Sequence, residues 1–296
     1  MTRVPLAVLG LGGVGGALAA RTGALCVGTE RTVEAIRERG LTLVDGPESL
    51  VAHPEATTRL ERPVALLVVA VKAYDLDAAL DRVAPEALDG ALVLPLLNGL
   101  EHVDAIRARL DNIAVAAGTI GVFSAASTEP GVVAQATTGP ATIRAASRDV
   151  DRATLAAALA PLAVPGVDVV VGDDEREVLW EKAVRLAVLA AATTASGLAV
   201  GALRADPAWG ERMRAAVAEA AATAEADGVQ MSAASQWAMI EAMQPELTTS
   251  AARDAAAGRP TELDAIVGSI VRAAARLGVA TPALAALWED ARCRVR

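Results

Sequence analysis

Aromatic residues are scarce: four Trp, one Tyr and one Phe in 296 residues. The cores must therefore be built from Ala, Val and Leu, and an apolar share of 53% suffices for sizeable ones. There are two cysteines, Cys26 and Cys293, far apart and in no motif. That excludes a disulfide framework and a thiolate metal site, and it suggests a reduced compartment. Two histidines exist, His53 in a polar loop and His102 at the start of a helix, and neither is well placed beside a hydride-transfer centre. No His, Cys and carboxylate cluster has metal spacing, and no Ser or Cys stands in a nucleophile motif. Positive charge is also lacking. The net charge of −9 argues against nucleic acid or an anionic membrane surface as partner. The most apolar late stretch, Ala183 to Thr193, is too short to span a bilayer. At the N-terminus, glycines interrupt what a signal peptide would need. The expectation is a cytoplasmic chain that binds a small molecule.

Its length points to two domains. The first opens with the apolar run Leu6 to Leu9, which reads as a buried strand. Gly10, Gly12 and Gly15 follow at G-x-G-x-x-G spacing, then a small-residue helix, Ala17 to Arg21. Strand, glycines and helix in that order form the dinucleotide fingerprint. Gly10 permits the tight turn, Gly12 a close approach of backbone to pyrophosphate, and Gly15 close packing of helix on strand. The N–H groups and positive dipole end of the helix then face the phosphates. The competing reading is a tight strand-to-helix turn without a ligand.

Ala24 to Gly28 reads as the second strand, with Thr29-Glu30-Arg31 at its end. An acidic side chain there suits a ribose 2′-hydroxyl and an Arg a 2′-phosphate. Both are offered, so NADH and NADPH stay open at this point. Leu66 to Val71 is a third strand, apolar throughout, and delivers Lys72 at its carboxyl end, where open α/β sheets bind ligands. Ala91 to Leu97 is a fourth, closed by Asn98-Gly99, which is a turn signal at another strand's carboxyl end. Shorter runs at Ala114 to Ile120, Val132 to Gln135, Ala141 to Ile143 and Val167 to Val171 read as strands. Beyond Gly172-Asp173-Asp174 the periodicity is helical throughout.

The predicted architecture is an α/β Rossmann-type dinucleotide-binding domain over residues 1–172 and an all-α domain over 173–296. The helical half opens with a helix from about Asp174 to Thr193, capped by Asp173 or Asp174. Lys182 stands on it where the charged turns give way to apolar ones. It is either a stem-buried Lys with a solvated head or a desolvated general acid. Thr261 and Asp264 fit a capping box, with Glu262 suited to the helix dipole. Reducing a carbonyl needs a hydride to carbon and a proton to the developing alkoxide, and a lysine ammonium can supply that proton. The apolar helices serve equally as core or as the face of a homodimer.

In order and spacing, several segments resemble the ketopantoate reductases (2-dehydropantoate 2-reductases) over essentially the whole chain. They are the glycine loop, Ala70-Val71-Lys72-Ala73, Leu96-Leu97-Asn98-Gly99, Leu179-Trp180-Glu181-Lys182, Ser250-x-x-x-Asp254 and Thr261-Glu262-Leu263-Asp264-x-Ile266-x-Gly268. The resemblance implies an NADP-binding Rossmann domain, a helical catalytic domain, an active site in the cleft between them, and NADPH as hydride donor. It implies that the loop Gly10, Leu11, Gly12, Gly13, Val14 and Gly15 holds the pyrophosphate. Lys72 and Asn98 then help to bind the cofactor, with Asn98 also near the substrate. Lys182 becomes the proton donor, Ser250 a substrate contact, and Glu262 the carboxylate that completes the site.

Two positions depart from the family. Leu186 and Ala190 stand four and eight residues after Lys182, where the family carries substrate-binding asparagines. Losing those amides makes a drier pocket, each hydrogen bond being worth roughly 0.5–1.5 kcal/mol net. Ketopantoate or a related 2-oxo acid is thus one expected substrate, and a more apolar carbonyl compound the alternative. At the end of strand two the family's phosphate-binding Arg aligns with Thr29 or Arg31; NADPH through Arg31 is favoured, and Glu30 keeps NADH open. A non-catalytic dinucleotide sensor is a third reading, against which Lys182 and Glu262 both argue.

Overall fold

The computed structural model describes residues 3–121, 123–137 and 139–295. Packing divides the chain into two units, Met1–Leu97 with His102–Val178, and Asn98–Glu101 with Leu179–Arg296.

The first unit begins with β1 (Val4–Leu9), α1 (Gly13–Thr22), β2 (Leu25–Val27) and α2 (Glu30–Arg39). A hairpin of β3 (Leu41–Asp45) and β4 (Glu48–Ala52) follows, then β5 (Ala56–Thr57), β6 (Val64–Val69), α3 (Leu76–Leu80) and β7 (Leu92–Pro95). After α4 (His102–Arg109) come β8 (Ala114–Val115), β9 (Ala117–Gly121), β10 (Ala125–Glu129) and β11 (Val132–Gln135). The unit's last strands are β12 (Ala141–Ala146) and β13 (Val167–Val171), with α5 (Arg152–Leu159) between them.

The main sheet is parallel, in the order β5-β2-β1-β6-β7-β8. Strand β1 is flanked by β2 and β6, with Leu9 opposite Val27 on one side and Val69 on the other. The chain moves outward to β2 and then returns to the other side of β1, so the order reverses at β1. In open α/β sheets ligands bind at the carboxyl ends of the strands at such a reversal. The interiors of β1 and β6 are wholly apolar because both faces are covered. A four-stranded sheet, β10-β11-β3-β4, packs on α1, and a three-stranded sheet joins β13, β12 and β9.

The sequence reading missed β3, β4, β5 and β10. Strand β4 is largely exposed and β10 is the weakly strand-forming Ala-Ala-Ser-Thr-Glu, so neither carries a buried alternation. Both gain their extended form from pairing with β3 and β11.

The helical series starts with α6 (Glu175–Ser196), followed by α7 (Val200–Ala205) and α8 (Pro207–Ala226). Then come α9 (Ala233–Glu241), α10 (Ser250–Ala256), a π-helical turn (Asp264–Gly268), α11 (Ser269–Leu277) and α12 (Pro282–Arg294). Among the described residues no strand follows Val171, and no helix is long and apolar enough to cross a membrane. The change from strands to helices lies where the sequence places it, but the packing divides slightly later. The first turn of α6 stays with the first unit: Glu175 accepts two bonds from Arg107, at 2.9 and 2.5 Å, and Val178 packs against Gly172. Asp174 caps α6 by accepting from the Arg176 N–H, whereas Asp173 pairs with Arg152.

The second unit has its own core of Trp180, Val184, Val188, Met213, Val217 and Ile270, with many alanines between them. Alanine-rich helices approach closely, and polar side chains fix their order. The Trp180 Nε1–H donates to Asp227 at 2.8 Å, tying α6 to the end of α8. The Glu219 carboxylate accepts from the N–H groups of Ala283 and Leu284 and caps α12 from α8.

Candidate active site

In the first unit, the chain leaves β1 through Gly10, whose φ of +94° admits glycine far better than any other residue. A Cβ there would overlap Val71, at the point where the chain also leaves β6. A Cβ on Gly15 would overlap the Gly10 carbonyl oxygen, and one on Gly13 the Ala125 carbonyl oxygen. Helix α1 is thus pressed onto β1 and β10 at van der Waals distance. Gly12 differs: a Cβ there meets nothing within 4 Å. It is the N-cap of α1, lends no side chain to the first turn, and no acidic residue lies in that turn. Leu11 and Val14 turn their side chains into the core, leaving the backbone to line the turn. Crowded at Gly10, Gly13 and Gly15, and open with uncapped N–H groups at Gly12, this turn fits a pyrophosphate.

Lys72 follows Val71 directly, beside this turn. Arg31 lies exposed in the first turn of α2, next to Glu30. Sequence reading missed Arg82, whose guanidinium Nη1 donates to the carbonyls of Gly28, at 3.3 Å, and Thr58, at 3.4 Å. It therefore stands at the end of β2, although 54 residues separate it from Gly28. The thiol of Cys26, in β2 itself, is pushed up to about 12 by burial, which removes it as a nucleophile at neutral pH.

The second unit assembles Asn98, Lys182 and Glu262. Asn98–Glu101 belongs to this unit, a correction to a division that assigned it to the dinucleotide domain. The cause is steric and ionic. Gly99 has φ +98°, and a Cβ on it would overlap the Ala265 carbonyl oxygen. Leu100 packs on the helical core, and Glu101 pairs with Arg272 at 2.7 Å. The turn so held brings the Asn98 side chain to Lys182, whose Nζ donates to Asn98 Oδ1 at 2.9 Å.

Glu262 is buried, 5% exposed, and its charge acts on Lys182. Removal from water lowers the Lys182 ammonium from 10.5 to about 8, and Glu262 opposes that fall. An ammonium tuned to this range stays protonated at neutral pH yet gives up its proton readily. The capping box expected at Thr261 and Asp264 is replaced by different chemistry. The π-helical turn has Leu263 as its N-cap, without a side-chain cap, and Asp264 turns to Arg272 at 3.1 Å. Single π-turns in α-helices recur at functional sites.

Ser250 is placed less directly. It opens α10 behind the N-cap Thr249, whose Oγ1 lies 2.8 Å from Thr193 Oγ1. Thr193 is eleven residues beyond Lys182, about 16 Å along the helix at 1.5 Å per residue. Ala190 is fully buried and Leu186 packs on the core, so alkyl groups occupy this stretch of α6. No group of three His, Cys, Asp or Glu among the described residues could hold a metal.

The two lysines also stand apart by composition. Of the 27 Lys and Arg residues, only Lys72 and Lys182 are lysine. In a chain that otherwise writes every cation as Arg, those two positions stand out, because arginine cannot give up its proton near neutrality.

Comparison with known proteins identifies the family. Residues 6–148 match the family model "Ketopantoate reductase PanE/ApbA", and residues 174–292 match its C-terminal counterpart. A 2-dehydropantoate 2-reductase of Halobacterium salinarum is 30% identical over 95% of this chain and 97% of its own. Among solved structures, the PanE/ApbA family ketopantoate reductase of Ralstonia eutropha superposes with a TM-score of 0.82 at 29% identity, covering 98% of both chains. D-Mandelate dehydrogenase, solved with NADH and anilino(oxo)acetate, shares the fold at TM-score 0.87 and 23% identity, over 98% of each chain. The two matching segments and the full-length relative establish that this chain belongs to the ketopantoate reductase family of oxidoreductases.

Proposed function

We propose that this protein reduces 2-dehydropantoate or a related 2-oxo acid to the 2-hydroxy acid, with NADPH as reductant. The observation that carries the reading is the Lys182 ammonium, bonded to Asn98 at 2.9 Å and facing the charge of Glu262. When bound, the dinucleotide supplies a hydride to the carbonyl carbon. Lys182 delivers a proton to the developing alkoxide and stabilises its negative charge beforehand. Asn98 Oδ1 fixes the direction of the ammonium, and Glu262 keeps it charged against desolvation. The turn at Gly12 and Lys72 would bind the dinucleotide phosphates. Arg31 and Arg82, both at the end of β2, support a 2′-phosphate there, so NADPH is favoured over NADH. On the family resemblance, Ser250 would contact the substrate.

Leu186 and Ala190 favour a second reading for the substrate, a 2-oxo acid with an apolar side chain. One assay separates the readings: oxidation of NADPH and NADH with 2-dehydropantoate and a panel of 2-oxo acids of increasing apolar size. The first reading expects the highest kcat/KM with 2-dehydropantoate, the second with an apolar side chain. Tight NADPH binding without turnover on any substrate would overturn both and identify a sensor.

A further inference from the structure

Asn98 Oδ1 can serve Lys182 only if the turn that carries it stays seated, and that turn comes from a part of the chain 84 residues before the lysine. One side chain grips it. Arg272, on α11, donates from Nε to Glu101 Oε1 at 2.9 Å and from Nη2 to Glu101 Oε2 at 2.7 Å, a two-pronged carboxylate grip. The same guanidinium reaches the π-helical turn, from Nη1 to Asp264 Oδ1 at 3.1 Å and from Nη2 to the Asp264 carbonyl at 3.3 Å. Asp264 is two residues past Glu262, and its neighbour Ala265 supplies the carbonyl against which Gly99 is pressed. Both groups that act on Lys182, Asn98 and Glu262, are therefore within three residues of a carboxylate held by Arg272.

We propose that Arg272 is a positioning residue for the acid–base site. By holding Glu101 and Asp264 in one fork, it fixes the Asn98–Glu101 turn on the π-helical turn and so sets the Asn98 amide on the Lys182 ammonium. Only a planar fork with several donors can do this; a lysine at 272 would keep the charge and lose the geometry. Arg276 cannot replace it, since it approaches Glu101 only at 3.8 Å and lies largely in solvent. The pairing lowers the Glu101 carboxyl and raises the Arg272 guanidinium, chiefly through the hydrogen bonds between them. Among the described residues the charge acting on Lys182 is that of Glu262, from another element, while Glu181 on the same helix as Lys182 acts on Arg185.

The kinetic part of the test rests on the reductase reading, and the labelling part does not. With two lysines in the chain, competitive acetylation followed by mass spectrometry gives the pH midpoint of Lys182 reactivity, with Lys72 as internal reference. In Arg272→Ala the Lys182 midpoint should fall by about one unit, as expected when an ammonium loses an acceptor, with Lys72 unmoved. Displacing the amide by about 1 Å should cost kcat about 10- to 100-fold. Glu101→Gln should produce the same two changes, smaller in size, and the double variant should be no worse than Arg272→Ala alone. Arg272→Lys should recover little, and Arg276→Ala should behave as wild type. Should Arg272→Ala not fold, Glu101→Gln carries both readouts. A lower Tm with an unmoved Lys182 midpoint, or additive effects in the double variant, would overturn the proposal. Wild-type protein that turns over no 2-oxo acid would instead overturn the reductase reading and leave the labelling result standing.

Discussion

The glycine turn of the first unit and the lysine site of the second use the chain in opposite ways. At Gly10, Gly12 and Gly15 the working surface is backbone: side chains are absent so that N–H groups are exposed and helix α1 lies on β1. At Asn98, Lys182 and Glu262 the working surface is side chain, delivered from three places spread over 164 residues of sequence. A backbone site is local and tolerates little change of shape. A side-chain site is non-local and depends on whatever holds its distant contributors, such as the Arg272 fork.

Substitution at the two sites should separate these modes. The largest effect belongs to Lys182→Ala, where loss of the proton donor should lower kcat by about 10²- to 10⁴-fold; a fluorescence titration should find NADPH affinity intact. Next come the glycines, which should split among themselves. Gly15→Ala forces a Cβ onto the Gly10 carbonyl and should destabilise the first unit by about 1–3 kcal/mol, read as a lower Tm. Gly12→Ala places a methyl group in open space, so Tm should hold while NADPH binding weakens. Equal losses of Tm in both variants would erase the distinction between a packing glycine and a ligand glycine. The smallest effect is expected at the end of β2. There Arg31→Ala or Arg82→Ala should each weaken NADPH about tenfold, as for a charge-assisted bond, with NADH affinity unchanged. Loss of both cofactors alike would mark Arg82 as a brace for Gly28 and Thr58 only.

The same contrast explains what could be read beforehand. The strand–glycine–helix order was legible because the glycines stand at fixed spacing directly after an apolar run, and the apolar runs of β6 and β7 because burial on both faces leaves little choice of residue. The pairing of Asn98 with Lys182 was not legible from pattern alone. Asn98-Gly99 reads as a turn, and its φ of +98° agrees, but the partner of that turn is the Ala265 carbonyl, far along the chain. The resemblance to a family, not periodicity, raised Lys182 and Glu262 above solvated charges. The π-helical turn after Glu262 escaped notice because its sequence also satisfies a capping box. Arg82 escaped because nothing within its own segment points to β2.

A proton donated by Lys182 leaves its mark on the pH dependence of the reaction. A donor must be protonated in the free enzyme, and burial brings Lys182 down to about 8. For NADPH-driven reduction of a 2-oxo acid, kcat/KM should therefore be level at neutral pH on its account and fall tenfold per unit above about 8. The residual activity of Lys182→Ala should lack that limb. An alkaline limb near 8 that persists in Lys182→Ala would assign the proton to another group.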